Sequence, residues 1–141
     1  VTSVSSQRRP GEAPVLSLAL AHNRQAPSLA RAAIAGFSED REIGETTRAT
    51  LTLLISEVVT NAVIHPDAEP PSDIRLRARI ADGVMRVEVT DQGSGFEPTP
   101  RDATRSDRGY GLYLLDKQAM RWGVERRGGT TVWFELTLKV D

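Results

Sequence analysis

Between Asp73 and Val89 the chain alternates apolar and polar residues so regularly that few folds can accommodate it. Ile74, Leu76, Ala78 and Ile80 fall on one side, and Asp73, Arg75, Arg77 and Arg79 on the other. Successive strand residues point to opposite faces, so this is a strand with one buried and one solvated face. Asp82-Gly83 interrupts the pattern with a strong two-residue hairpin signal, and Met85, Val87 and Val89 then resume it. A second hairpin signal, Gly128-Gly129, precedes the alternation of Val132, Phe134, Leu136 and Leu138. Paired hairpins with one polar face require a cover on the apolar face. The expected architecture is therefore an α+β, two-layer α/β sandwich: a mostly antiparallel sheet with helices on one face. A doubly wound parallel sheet would need strict alternation of strand and helix, which the Asp82-Gly83 hairpin opposes.

The cover is supplied by two helical patterns ahead of the hairpin and one after it. From Glu45 to Ile64, Leu51, Leu54, Ile55, Val58 and Ala62 recur at the spacing of one buried helix face, and His65 and Pro66 end the pattern. A shorter alanine-rich helix is expected over Pro27 to Phe37, with Asn23 or Ser28 as its cap, after a strand from Val15 to Ala21. Residues Val1 to Pro14 offer almost nothing to bury and read as a disordered arm, so the domain is expected to span residues 15–141. After Asp91 a polar stretch containing Gly93, Gly95, Pro98 and Pro100 runs without periodicity to about Arg108. Loops of that length in compact domains are usually functional or disordered. Helix pattern returns from Gly111 to about Arg121, with Leu112, Leu115 and Ala119.

Composition excludes several chemistries. The chain has 141 residues, the size of one domain with a single modest core, and no cysteine, which rules out disulfides, thiolate-held zinc, iron–sulfur clusters and a thiol nucleophile. With only His22 and His65, a multi-histidine metal site is hard to build. A net charge of −1 lacks the excess that binding to nucleic acid or an anionic membrane needs. No apolar run approaches the ~20 residues that span a bilayer, and the polar beginning carries no secretory pattern, so a cytoplasmic location is expected. All basic residues but Lys117 and Lys139 are arginine, a fork-shaped phosphate binder where a P-loop would use lysine. Scattered as they are, the arginines also fit a coding bias spread over the surface.

Three short motifs carry candidate chemistry. Glu57 and Asn61 lie four apart on the strongest helix, so a carboxylate and an amide project from neighbouring turns beside its buried stripe. Asp91-Gln92-Gly93-Ser94-Gly95-Phe96 stands where a strand enters the long loop; a carboxylate there can accept from an exocyclic amine, and the glycines allow close approach. Arg108-Gly109-Tyr110-Gly111-Leu112 opens a helix, where backbone N–H groups and the dipole suit a phosphate. Each alone also reads as an ordinary exposed face, turn or helix start; their order and spacing together are specific.

Glu57-x-x-x-Asn61-Ala62, Asp91-x-Gly93-x-Gly95 and Gly109-x-Gly111-Leu112 together resemble the motifs of the GHKL (Bergerat-fold) ATPases, which include gyrase-type, Hsp90-type, MutL-type and histidine-kinase ATP-binding domains. The resemblance covers about Val15 to Leu138. Within that superfamily, Ser56 to His65, Gly109 to Leu115, Arg121 to Val124 and Gly129 to Leu136 look like the stand-alone anti-sigma-factor serine/threonine kinases.

The resemblance implies a role for each matching residue. Asn61 would coordinate Mg²⁺, a metal that keeps its waters and takes few protein ligands. Asp91 would read the adenine amino group of ATP, with Gly93 and Gly95 in the motif shaping the pocket and Thr131 adding a hydrogen bond. Residues 96–108 would form a lid. Gly109, Gly111 and Leu112 would offer backbone N–H groups to the phosphates, and Arg105 or Arg108 would supply positive charge. Glu57 would act as the catalytic base, favouring attack by a hydroxyl over attack by an imidazole. The partners implied are a sigma factor and an anti-anti-sigma protein phosphorylated on serine, with a homodimer expected from the same resemblance. A non-catalytic ATP-dependent switch and the detached ATP-binding half of a histidine kinase are the alternatives; the second is disfavoured by Glu57 and by the missing phosphoacceptor helix. Trp122 and Trp133 are read as packing or sheet-surface residues, Arg75, Arg77 and Arg79 as a solvated strand face, and His65 as a helix-end residue. His22 receives no role.

Overall fold

The computed structural model describes residues 3–7, 15–64, 73–92, 113–126 and 129–138. In chain order these form β1 (Ser3–Gln7), β2 (Val15–Leu20), α1 (Ala26–Glu39), α2 (Glu45–Ile64), β3 (Ile74–Ala81), β4 (Val84–Gln92), a helical segment α3 (113–118), β5 (Arg121–Arg126) and β6 (Gly129–Thr137). The strands make one six-stranded sheet in the order β1-β2-β3-β4-β6-β5, and every neighbouring pair is antiparallel. This is the expected two-layer α+β sandwich.

The alternation decides which face is covered. Leu16, Leu18 and Leu20 of β2, Ile74, Leu76 and Ala78 of β3, Met85, Val87 and Val89 of β4, and Phe134 and Leu136 of β6 are buried in one core. Leu51, Leu54, Ile55, Val58 and Val59 of α2 and Ala30, Ile34 and Phe37 of α1 close that core from the other side. The expected turn is present, with Asp82 at φ 53° and Gly83 at φ 75°. Both central residues thus take the left-handed conformation that matches the twist of the flanking strands.

Two expectations are corrected. Part of the segment read as a disordered arm, Ser3–Gln7, pairs with β2 from Ser3 opposite Ala19 to Gln7 opposite Val15. An edge strand needs only backbone partners, which the open ladder of β2 provides, and a search for buried side chains does not reveal it. The helix expected to reach Arg121 instead gives way before β5: Met120 N–H donates to the carbonyl of Glu135, drawing the chain into the ladder with β6. His65 and Pro66 lie outside the described residues. Among the described residues no helix is long and apolar enough to cross a membrane.

The opposite face of the sheet is polar but not featureless. Cross-strand register places Arg86, Glu135 and Arg121 in one row, and Glu88, Trp133 and Gly123 in the next. Glu135 accepts from Arg121 Nη2 at 2.6 Å and Nε at 2.8 Å, and from Arg86 Nη1 at 3.1 Å. Arg86 also donates to Glu88 and stacks over the Trp133 ring, 4.2 Å from its centroid. Trp133 lies flat across Gly123, where a Cβ would stand 2.7 Å from the indole nitrogen. Trp122 sits on the other face, partly buried against the core, and its indole N–H donates to Asp116. Both tryptophans are thus packing residues, and Arg75, Arg77 and Arg79 are exposed as expected.

Burial alone would raise the Glu135 carboxyl, but the hydrogen bonds and charges of Arg121 and Arg86 outweigh it and hold the group below the ordinary glutamate range. A depressed folded-state value means that the stabilisation is present above the unfolded value of about 4.3 and is lost as pH falls through the folded one. Glu135→Gln is expected to cost about 1–2 kcal/mol at pH 7. In thermal melts from pH 7 to pH 3, the gap between the two proteins should close only below about pH 4.3.

Candidate functional site

The inward alternation of β4 does not stop with the core. Met85, Val87 and Val89 are buried apolar residues, and the next inward position is Asp91, only 5% exposed. An ionised carboxylate removed from water is costly unless polar groups attend it. The sheet register brings those groups to the same end. Asp91 stands opposite Ile74 of β3 and Thr130 of β6, and Ile74 in turn stands opposite Leu20, the last residue of β2. Beyond Leu20 the chain turns at His22, whose Nε2 lies 3.9 Å from Asp91 Oδ1. Asp91, Thr130 and His22 therefore meet at one edge of the core.

Two atoms of this cluster are chemically conspicuous. Among the described residues Thr130 Oγ1 and His22 Nε2 are buried without a hydrogen-bond partner. Buried polar atoms are nearly always satisfied, and each one that is not raises the question of what else would satisfy it. The turn that presents His22 is itself fixed: Asn23 Oδ1 accepts from the Gln25 N–H, the Asn23 carbonyl accepts from the Ala26 N–H, and Pro27 stands in the first turn of α1. Of the two expected caps, Asn23 forms this turn and Ser28 lies inside the helix.

Glu57 and Asn61 are carried by α2, half-buried beside the fully buried Val58 and Val59. Two anchors set the direction of this helix. Its first turns, at Thr46, Thr47 and Thr50, line a cavity with Met120, Leu136 and Thr137, at the end of β6 farthest from Thr130. After Ile64 the chain re-enters the sheet at Ile74, directly across from Asp91. The second half of α2, with Glu57 and Asn61, therefore runs toward the Asp91 end. One residue ahead of Glu57, Ser56 Oγ accepts from Arg31 of α1 at 2.8 Å, tying the two helices together at that level.

Thr131, expected to add a hydrogen bond in the pocket read by Asp91, is turned to the other face of the sheet, where its Oγ1 is 2.8 Å from Thr90 Oγ1. The residue that shares the inward face with Asp91 is Thr130. Continuing the alternation of Leu136, Phe134 and Val132 backward through the strand reaches Thr130, so the signal was present in the sequence. The same parity, carried forward from Leu16, Leu18 and Leu20, reaches His22. Gly93, Gly95, Arg105, Arg108, Gly109, Gly111 and Leu112 lie outside the described residues.

Residues 20–136 match the histidine kinase-like ATPase domain. An anti-sigma F factor of Clostridium botulinum is 26% identical over 128 residues, covering 83% of this chain and 90% of that protein. An anti-sigma F factor of Caldanaerobacter subterraneus is 31% identical over 83 residues, covering 59% of this chain and 58% of that protein. The crystal structure of the RsbU and RsbW domains of a Mycobacterium tuberculosis protein superimposes with a TM-score of 0.70 at 25% identity. That alignment covers 89% of this chain but only 32% of the crystallised one.

The two adjacent threonines should separate cleanly in stability measurements. Thr130→Val replaces a buried hydroxyl that lacks a partner with a methyl of the same shape, and is expected to stabilise the free protein by about 1 kcal/mol. Thr131→Val removes the bond to Thr90 and is expected to destabilise it by about 1 kcal/mol. Urea unfolding midpoints of the two variants should therefore move in opposite directions.

Proposed function

The chain belongs to the histidine kinase-like ATPase domain family, and from that premise we propose that it binds ATP with Mg²⁺ and acts as a serine/threonine kinase of the anti-sigma type. The observation that carries the nucleotide reading is Asp91, a carboxylate held at an inward position near the end of the interior strand β4 with Thr130 opposite it. A buried carboxylate accepts from an exocyclic amine, and the unsatisfied Thr130 hydroxyl can donate to a ring nitrogen or accept from the same amine. This donor and acceptor set fits the amino edge of adenine.

Glu57 and Asn61 divide the remaining work on α2. Asn61 would hold Mg²⁺ through its amide oxygen, and the bound ion supplies neutralising charge to the phosphates. Glu57, one helical turn earlier, orients the attacking serine hydroxyl and accepts its proton. Gly109, Gly111 and Leu112 offer backbone N–H groups to the phosphates, with Arg105 or Arg108 adding charge. The anti-sigma F factors that this chain resembles support a sigma factor as the partner it holds; an anti-anti-sigma protein, phosphorylated on serine, is the proposed substrate. A homodimer is part of the same proposal.

Binding and transfer fail separately when tested. Calorimetry with Mg-ATP should detect binding, and Asp91→Asn should weaken it by at least about tenfold, one charged hydrogen bond's worth. Glu57→Gln should leave that affinity within about twofold while lowering transfer of labelled phosphate to the partner's serine by 100-fold or more, on the order expected for a general base. Binding without transfer in the unaltered protein would turn the reading into a nucleotide-dependent switch.

A further inference from the structure

His22 lies outside all three motifs, yet it is the histidine the fold places against the adenine-reading carboxylate. Its side chain is 6% exposed and that of Asp91 is 7% exposed, so the pair is shielded from water. The Nε2-to-Oδ1 separation of 3.9 Å is about 1 Å longer than a hydrogen bond. Among the described residues that nitrogen has no other partner. The turn behind it is pinned by Asn23, Gln25 and Ala26, so the imidazole is delivered by a rigid segment and not by a free loop.

We propose that His22 is a positioning residue for Asp91, which closes on the carboxylate when nucleotide binds and thereby sets the preference for a 6-amino purine. The proposal rests on the nucleotide reading of this site. An approach of about 1 Å lets Nε2–H donate to Oδ1. That bond adds a fixed donor to one carboxylate oxygen and leaves the other to accept from the exocyclic amine. A carboxylate that carries this donor separates an amine from a carbonyl more sharply than one without it, because an incoming carbonyl oxygen would meet an acceptor with no proton to share. His22 pairs with Asp91 and makes no hydrogen bond through Nε2 to Glu57 or Asn61, so its effect is assigned to the base.

The test compares Mg-ATP with Mg-ITP, which carries a 6-oxo group in place of the amine, by calorimetry on the full chain. The unaltered protein is expected to favour ATP clearly. His22→Leu should weaken ATP binding about tenfold and leave ITP binding within about twofold, collapsing the preference. His22→Gln, which keeps a donor at similar reach, should restore most of it. Melting temperatures of both variants are measured alongside. If His22→Leu weakens both nucleotides equally, or keeps the ATP-to-ITP ratio unchanged, the positioning role is wrong and the residue only packs. If His22→Leu does not fold, a His22→Gln ratio as low as that of Asp91→Asn overturns the proposal, and a retained ratio supports it. Absence of ATP binding in the unaltered chain would overturn the nucleotide reading itself, a result that no His22 variant can mimic.

Discussion

Everything at this site depends on a carboxylate placed where the strand pattern calls for a hydrophobe. In β4 the inward positions run Met85, Val87, Val89 and then Asp91, so the alternation that builds the core delivers a charge to its rim. Such a placement is unfavourable for the isolated fold. Its neighbours in the same row are Ile74 and Thr130, and His22 approaches from the turn after β2. Two of these neighbours themselves carry buried polar atoms without hydrogen-bond partners among the described residues. A fold optimised for stability alone would fill this row with apolar side chains. Residues that work against packing at one edge of an otherwise consistent core are where function is expected to reside.

The outer face shows the opposite economy. There Glu135 is saturated by two arginines, Arg86 is shared between two carboxylates, and the Trp133 ring is clamped between Arg86 and Gly123. Glycine at position 123 is explained by close approach, not by backbone conformation, because any Cβ would enter the indole. These contacts bind β4, β5 and β6 together on the side away from the helices. That stiffening bears on the site, since Asp91 and Thr130 belong to two of the same strands. A register slip between β4 and β6 by one residue would turn one of them to solvent.

Much of this was readable from residue order because period and turn chemistry are local. The helix Glu45–Ile64, the Asp82-Gly83 hairpin and the inward faces of β3 and β4 follow from spacing alone. The misreadings have physical causes. The strand Ser3–Gln7 is held by backbone pairing to β2, which leaves no mark in hydropathy. The family resemblance assigns the pocket's hydrogen bond to Thr131, whereas strand parity puts Thr130 on the face of Asp91. The inward parity of β2 reaches His22, but its pairing with Asp91 is not local: the two are distant in sequence, and only the alignment of β2, β3 and β4 in one row brings them together.

The division of labour between sheet and helix follows from what each can hold rigid. A strand end fixes a side chain through register, as Asp91 is fixed between Ile74 and Thr130. A helix fixes two side chains at a constant offset of one turn, which suits a pair that must act on neighbouring atoms. In α2 the pair Glu57 and Asn61 is half-buried, flanked by Val58 and Val59 in the core. Their backbone is therefore immobilised by neighbours that do no chemistry, while their own side chains remain at the boundary with solvent. Charge at that boundary can be changed with little effect on the core, whereas truncation of the buried Val58 or Val59 would disturb the packing that holds this stretch of α2. The placement of this pair is thus set by packing that lies one residue away from it.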